Sequence, residues 1–103
     1  MPIRAEIEFD KEALDAFCRR HGIRSLSLFG SAVRGGFDSE SDVDLLVEFG
    51  HGRVPGLIRL AGMELELSPV FGGRDVELRT FEDLSPYFRD EVRALAEPVY
   101  VAA

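Results

Sequence analysis

Val43, Leu45, Val47 and Phe49 alternate with Asp42, Asp44, Leu46 and Glu48 in the run SDVDLLVEF. Successive strand residues face opposite sides, so this run reads as a strand with one apolar face for a core and two carboxylates sharing the other side. A chain built around such a strand needs a neighbouring strand and a cover for the apolar face. The preceding run, Ser25 to Phe29, alternates in the same way and ends in Gly30-Ser31, a turn signal.

The remaining segments supply cover and a third strand. Asp10 is placed to cap a helix running to Arg20, with Ala13, Leu14, Phe17 and Cys18 on one stripe and Gly22 as its stop. A helical turn or two begins at Ala32 and ends at Gly35-Gly36. Leu57, Leu60, Ala61, Met63, Glu64 and Leu67 predict a second long helix that closes before Ser68-Pro69. A strand follows with Val76, Leu78 and Thr80 on one face and Asp75, Glu77 and Arg79 on the other. The last helix is expected to start at Ser85 as cap and Pro86 as first residue, to turn Phe88, Val92 and Leu95 inward, and to stop at Pro98. Phe71, Phe81, Tyr87, Phe88 and Tyr100 are read as packing residues. The sum is an α+β domain, without internal repeats.

The chain has 103 residues, which is the size of one domain with one core. Charges interrupt every apolar stretch, so neither a membrane span nor a signal peptide is expected, and the cytoplasm is the default setting. The single cysteine, Cys18, excludes an intramolecular disulfide and reads as a core residue. A formal charge of −7 counts against nucleic acid as a target, because gripping phosphates needs a basic face. The same charge favours encounter with a basic protein. His21 and His51 lie in separate segments with no zinc-like spacing.

Two local features carry chemistry. Asp42 and Asp44 meet the demand of Mg²⁺, which is held by one or two carboxylates together with substrate phosphates. A third carboxylate from a neighbouring strand would allow two ions to clamp an in-line phosphoryl displacement, and Glu77 is the candidate. Gly30 lets a triphosphate approach the backbone, Ser31 and the next amides donate to its oxygens, and Arg34 adds a charge-assisted contact.

The stretch GSAVRGGFDSESDVDLLVEF, with Gly-Ser followed by ten residues and then D-x-D, resembles the active-site signature of the polymerase-beta-like nucleotidyltransferase superfamily. Its size is most similar to the minimal nucleotidyltransferase (MNT) branch, with residues 1–103 as one such domain. The resemblance implies a mixed β-sheet flanked by helices, and transfer of AMP from ATP, the substrate, to a hydroxyl with release of pyrophosphate. It implies that Asp42, Asp44 and Glu77 are both the metal ligands, for two Mg²⁺ ions, and the catalytic acids, with Gly30, Ser31 and Arg34 binding the nucleotide. Many members of that branch are antitoxins of HEPN-domain ribonuclease toxins, and some adenylylate a toxin tyrosine near its R-x4-6-H motif. The expected function is therefore an Mg-dependent protein adenylyltransferase that neutralises a HEPN toxin and forms a hetero-oligomer with it. The alternatives are a non-catalytic antitoxin acting by stoichiometric binding, and a nucleotidyltransferase acting on tRNA 3′ ends. Many relatives carry Asp at the third acid, where this chain has Glu77 with Asp75 two residues before it.

Overall fold

The computed structural model describes residues 8–30, 42–50, 52 and 55–102. The first helix, α1 (Lys11–His21), begins where the Asp10 side chain accepts a hydrogen bond from the Ala13 amide, and ends where Gly22 takes a left-handed conformation, φ 68°. Leu14, Phe17 and Cys18 form its buried stripe. These are the expected cap, stop and inner face.

Strands β1 (Ile23–Phe29), β2 (Val43–Phe49), β3 (Val76–Arg79) and β4 (Glu97–Val101) form one sheet in the order β3-β2-β1-β4. β1 runs antiparallel to both β2 and β4, whereas β2 and β3 are parallel, so the sheet is mixed. Leu26 and Leu28, Val43, Leu45 and Val47, and Val76 and Leu78 point to the same side, where they meet α1, Phe71 and helix α2 (Leu57–Leu67). Phe17, Phe71 and the leucines at 14, 26, 28, 45, 67 and 78 are fully buried in that single core. Apolar burial at roughly 25 cal/mol per Å² makes this face the main source of stability. The opposite face carries Ser25, Ser27, Asp44, Leu46, Glu48, Glu77 and Arg79, which are not buried.

Several expectations are corrected by the sheet's fourth strand and its surroundings. The last helix ends before Pro98, at Leu95, but Pro98 itself lies inside a further strand, β4, opposite Ser27. Proline donates no ladder hydrogen bond, and a sheet tolerates it on an edge strand such as β4. Ser85 caps a turn ahead of the helix: its Oγ accepts from the Tyr87 amide and its carbonyl from Phe88 and Arg89, and residues 86–88 form that turn rather than the first helical residues. Helix α3 therefore begins at Arg89 (Arg89–Leu95), and Phe88 and Leu95 are exposed rather than inward. Tyr87 is 95% exposed and cannot be a packing residue. Thr80 leaves the strand to form a reciprocal capping box with Asp83 over a short 3-10 turn, Phe81–Asp83.

α2 also differs from its expected stripe. Met63 and Leu67 are buried and Leu60 packs partly against the core, but Leu57 is 83% exposed and Ala61 lies outside. The helix closes before Ser68-Pro69 as expected, and the chain continues as a 3-10 turn, Ser68–Phe71, because proline suits the first turn of a helix. Glu64 has a specific inward use: its Oε2 accepts from the Leu78 amide at 2.8 Å, satisfying a donor that β3 presents at the sheet edge. Among the described residues, no helix is long and apolar enough to cross a membrane.

Candidate active site

Asp42 and Asp44 stand at the start of β2, and the parallel register sets Asp44 directly beside Glu77 and Val43 beside Val76. The Val43 amide donates to the Asp75 carbonyl at 2.8 Å, which extends the pairing upward by one residue. Neighbouring strands lie about 4.8 Å apart, so Asp44 and Glu77 are adjacent acids on the open face of the sheet. Asp75 is exposed just before β3. On the other side of β2, Asp44 is in register with Phe29, the last residue of β1.

Gly30 follows immediately, with φ 72°. A Cβ at this position would lie 2.6 Å from Oδ2 of Asp44. Both facts demand glycine: the left-handed backbone disfavours a side chain, and the Asp44 carboxylate fills the space one would occupy. The glycine turn and the second acid are thus in direct contact, which spacing alone could not show.

The electrostatics agree with this crowding. Burial raises the Asp44 carboxyl above its ordinary value near 3.8, the charges of Glu77 and then Asp42 push it further up, and Arg79 draws it back. Acids that raise one another's protonation lower their energy when a cation joins them. Glu77 has a second neighbour, since its Oε1 accepts from Nη2 of Arg79 at 3.1 Å. Both side chains are nearly half exposed, and such a pair contributes at most about 1 kcal/mol, so Glu77 is not locked in place. Arg79 is a site neighbour that the sequence reading left unassigned, although its alternation put it on the same face as Glu77.

Among the described residues, no three acidic, histidine or cysteine side chains form a ready-made metal cage. Asp44 thus stands beside Glu77 and within the influence of the Asp42 charge, with Glu77 turned to Arg79, and the described acids do not form a closed set of ligands. Three uncompensated carboxylates repel, and the nearby guanidinium relieves one of them. The donor set still fits Mg²⁺, which needs only one or two carboxylates beside phosphate oxygens. Ser31 and Arg34, the other expected nucleotide contacts, lie outside the described residues, as does His51.

Cys18 and His21 lie elsewhere. Cys18 is buried in the core, and its thiol is pushed up to about 12, chiefly by burial. His21 stacks on Phe17 at 4.5 Å and its Nε2 lies 3.0 Å from Oε1 of Glu66. Neither touches the acids of the open face.

A family model described as a nucleotidyltransferase domain matches residues 10–96. A provisionally named protein adenylyltransferase from Methanocaldococcus jannaschii is 36% identical over 73 residues, 71% of this chain and 75% of the relative. Among solved structures, a provisionally assigned minimal nucleotidyltransferase is 38% identical, with a TM-score of 0.67 over 85% of this chain and 87% of that one. A complex of tri-AMPylated Shewanella oneidensis HEPN toxin with MNT antitoxin shares the fold, with a TM-score of 0.62 at 17% identity, over 89% of this chain and 70% of the matched one.

Proposed function

The chain belongs to the nucleotidyltransferase domain family, and from that premise we propose that it is an Mg²⁺-dependent protein adenylyltransferase of the MNT type, a single domain over residues 1–103. Its substrate is ATP, and its acceptor is a hydroxyl, in this reading a tyrosine, on a cognate HEPN toxin that the modification neutralises. The observation that carries the reading is the meeting of Gly30 with Asp44, itself beside Glu77, at one end of the open sheet face. The names of the M. jannaschii relative and of the Shewanella complex support the acceptor class.

In this mechanism Asp42 and Asp44 hold Mg²⁺, with Glu77 as the third acid. When bound, the cation supplies positive charge that offsets the charge on the reacting phosphates. Gly30 admits the triphosphate close to the backbone, and Ser31 and Arg34 bind its oxygens. Glu77, freed from Arg79, orients the acceptor hydroxyl and takes its proton as the acceptor oxygen bonds to the α-phosphorus. The bond between that phosphorus and the bridging oxygen breaks, and pyrophosphate leaves. Glu77 is preferred over Asp75 as the third acid because it is the register partner of Asp44 and one of the charges that raise its pKa.

Mass spectrometry of the purified toxin incubated with this protein, ATP and Mg²⁺ tests the proposal. AMP-sized additions that disappear with Asp42→Ala are expected. Toxin that stays unmodified while its ribonuclease activity is still suppressed would replace catalysis by stoichiometric binding.

A further inference from the structure

Helix α3 crosses the open face of the sheet and divides it. Its position is fixed from below: Arg89 donates to the Leu84 carbonyl at 3.2 Å, and Arg89 and Arg93 both lie over the Phe81 ring, at 5.2 and 4.6 Å from its centroid. The helix packs on β1 and on the turn Phe81–Asp83. Its residues, with Leu84, Phe88 and the end of β1, line a partly open cavity of about 460 Å³.

Two properties of this cavity stand out. First, Gly30 lines it, and Gly30 also abuts Asp44, so the cavity and the second acid share this glycine as a common wall. Secondly, its walls are apolar, with Phe29, Phe88, Val92 and Leu95, apart from one carboxylate, Glu91. Glu91 makes no hydrogen bond or ion pair with a described residue. Small-molecule pockets have roughly 300–1,000 Å³ and the same composition, mostly apolar with a few directing polar groups.

We infer that this cavity seats the base of the nucleotide, between the aromatic ring of Phe29 and the side chains of α3, with Glu91 accepting a hydrogen bond from the base's exocyclic amino group. The inference rests on the reading of Gly30 and the acids as the triphosphate seat. A nucleotide whose phosphates lie at Gly30 has its base one ribose away, and this cavity is an apolar space that Gly30 borders. A carboxylate accepts but does not donate, so Glu91 selects bases that carry an amino group, such as adenine, and disfavours those without one. A large aromatic face gives the ring its stacking area.

Calorimetry with Mg²⁺ and three probes tests this: ATP, purine riboside triphosphate, which lacks the amino group, and inorganic tripolyphosphate. The expected wild-type order is ATP about tenfold tighter than purine riboside triphosphate, the size of one hydrogen bond to a charged acceptor, and both tighter than tripolyphosphate. Glu91→Ala should bring ATP down to the affinity of purine riboside triphosphate and leave tripolyphosphate unchanged. Leu95→Trp, at an exposed position, should fill the cavity and reduce both nucleotides to the tripolyphosphate level, with circular dichroism unchanged. Tripolyphosphate bound as tightly as ATP would overturn the base seat alone, whereas no binding of tripolyphosphate would overturn the phosphate seat beneath it. Loss of toxin binding in Leu95→Trp, with all three affinities intact, would assign the cavity to the protein partner and overturn the inference as well.

Discussion

Replacing Asp44 by Asn should make the metal-free domain more stable while abolishing AMP transfer. The Asp44 carboxylate stands directly beside Glu77, follows Asp42 by two residues, and accepts no hydrogen bond among the described residues. Like charges directly opposite on neighbouring strands cost roughly 0.2–1 kcal/mol, so relieving the repulsion from Glu77, with the weaker one from Asp42 on the same strand end, gains about 1 kcal/mol. For a domain of this size that raises the melting temperature by about 4–8 °C. The gain must depend on pH in a defined sense. The Asp44 carboxyl titrates near 3.8 when unfolded and higher when folded, so the native state holds a proton that the unfolded state has already released. Wild-type stability from this group is therefore fully present below pH 3.8 and is lost as the pH rises through the folded value. Thermal melting of both proteins in EDTA, from pH 3 to pH 7.5, reads the effect: the curves should coincide at the acid end and separate above it. Added Mg²⁺ and ATP should then stabilise the wild type and not the variant. An Asn variant that melts at or below the wild-type temperature at pH 7, or whose gain persists at pH 3, refutes the crowding argument.

Gly30→Ala should cost about 1–3 kcal/mol in urea denaturation and weaken tripolyphosphate binding, because the left-handed backbone and the Asp44 carboxylate both resist a methyl group. Burial, then Arg20 and Arg59, lower the His21 pKa from 6.5, while Glu66, already paired with Arg20, does not reverse the effect. Stability from His21 is thus present above pH 6.5 and lost as the pH falls through its folded value; His21→Gln should flatten the denaturation midpoint between pH 7 and pH 5, and an unchanged slope would count against it.

The sequence is legible wherever a local rule decides the structure. Asp10 and Gly22 bracket α1 because capping and left-handed glycine are properties of single residues. β2 is read residue for residue because alternation over seven positions fixes which side chains enter the core. β4 is missed for the converse reason. Glu97–Val101 is short, contains a proline, and exists only because β1 offers a partner some seventy residues away in the chain, a pairing that no local pattern announces. Ile58 and Leu65 of α2 stay exposed because helical phase puts them opposite Met63 and Leu67, and Leu57 is exposed at the helix's first residue. At the site, alternation puts Asp42, Asp44 and Glu77 on one polar side, but the register that sets Asp44 beside Glu77 is tertiary information. The pairing of Glu77 with Arg79 follows the same alternation and could have been anticipated; the place of Glu91 beside Gly30 depends on how α3 crosses the sheet and has no sequence signal.

Among the described residues, each margin of the sheet carries an obstacle to a further strand. On one, the Leu78 amide is taken by Glu64; on the other, Pro98 offers no amide. Both disfavour a partner that anneals its backbone as an extra ribbon, a mode that recognises peptide groups and is largely indifferent to sequence. Recognition then falls to side chains, and a few surface substitutions can change a partner while leaving the scaffold untouched.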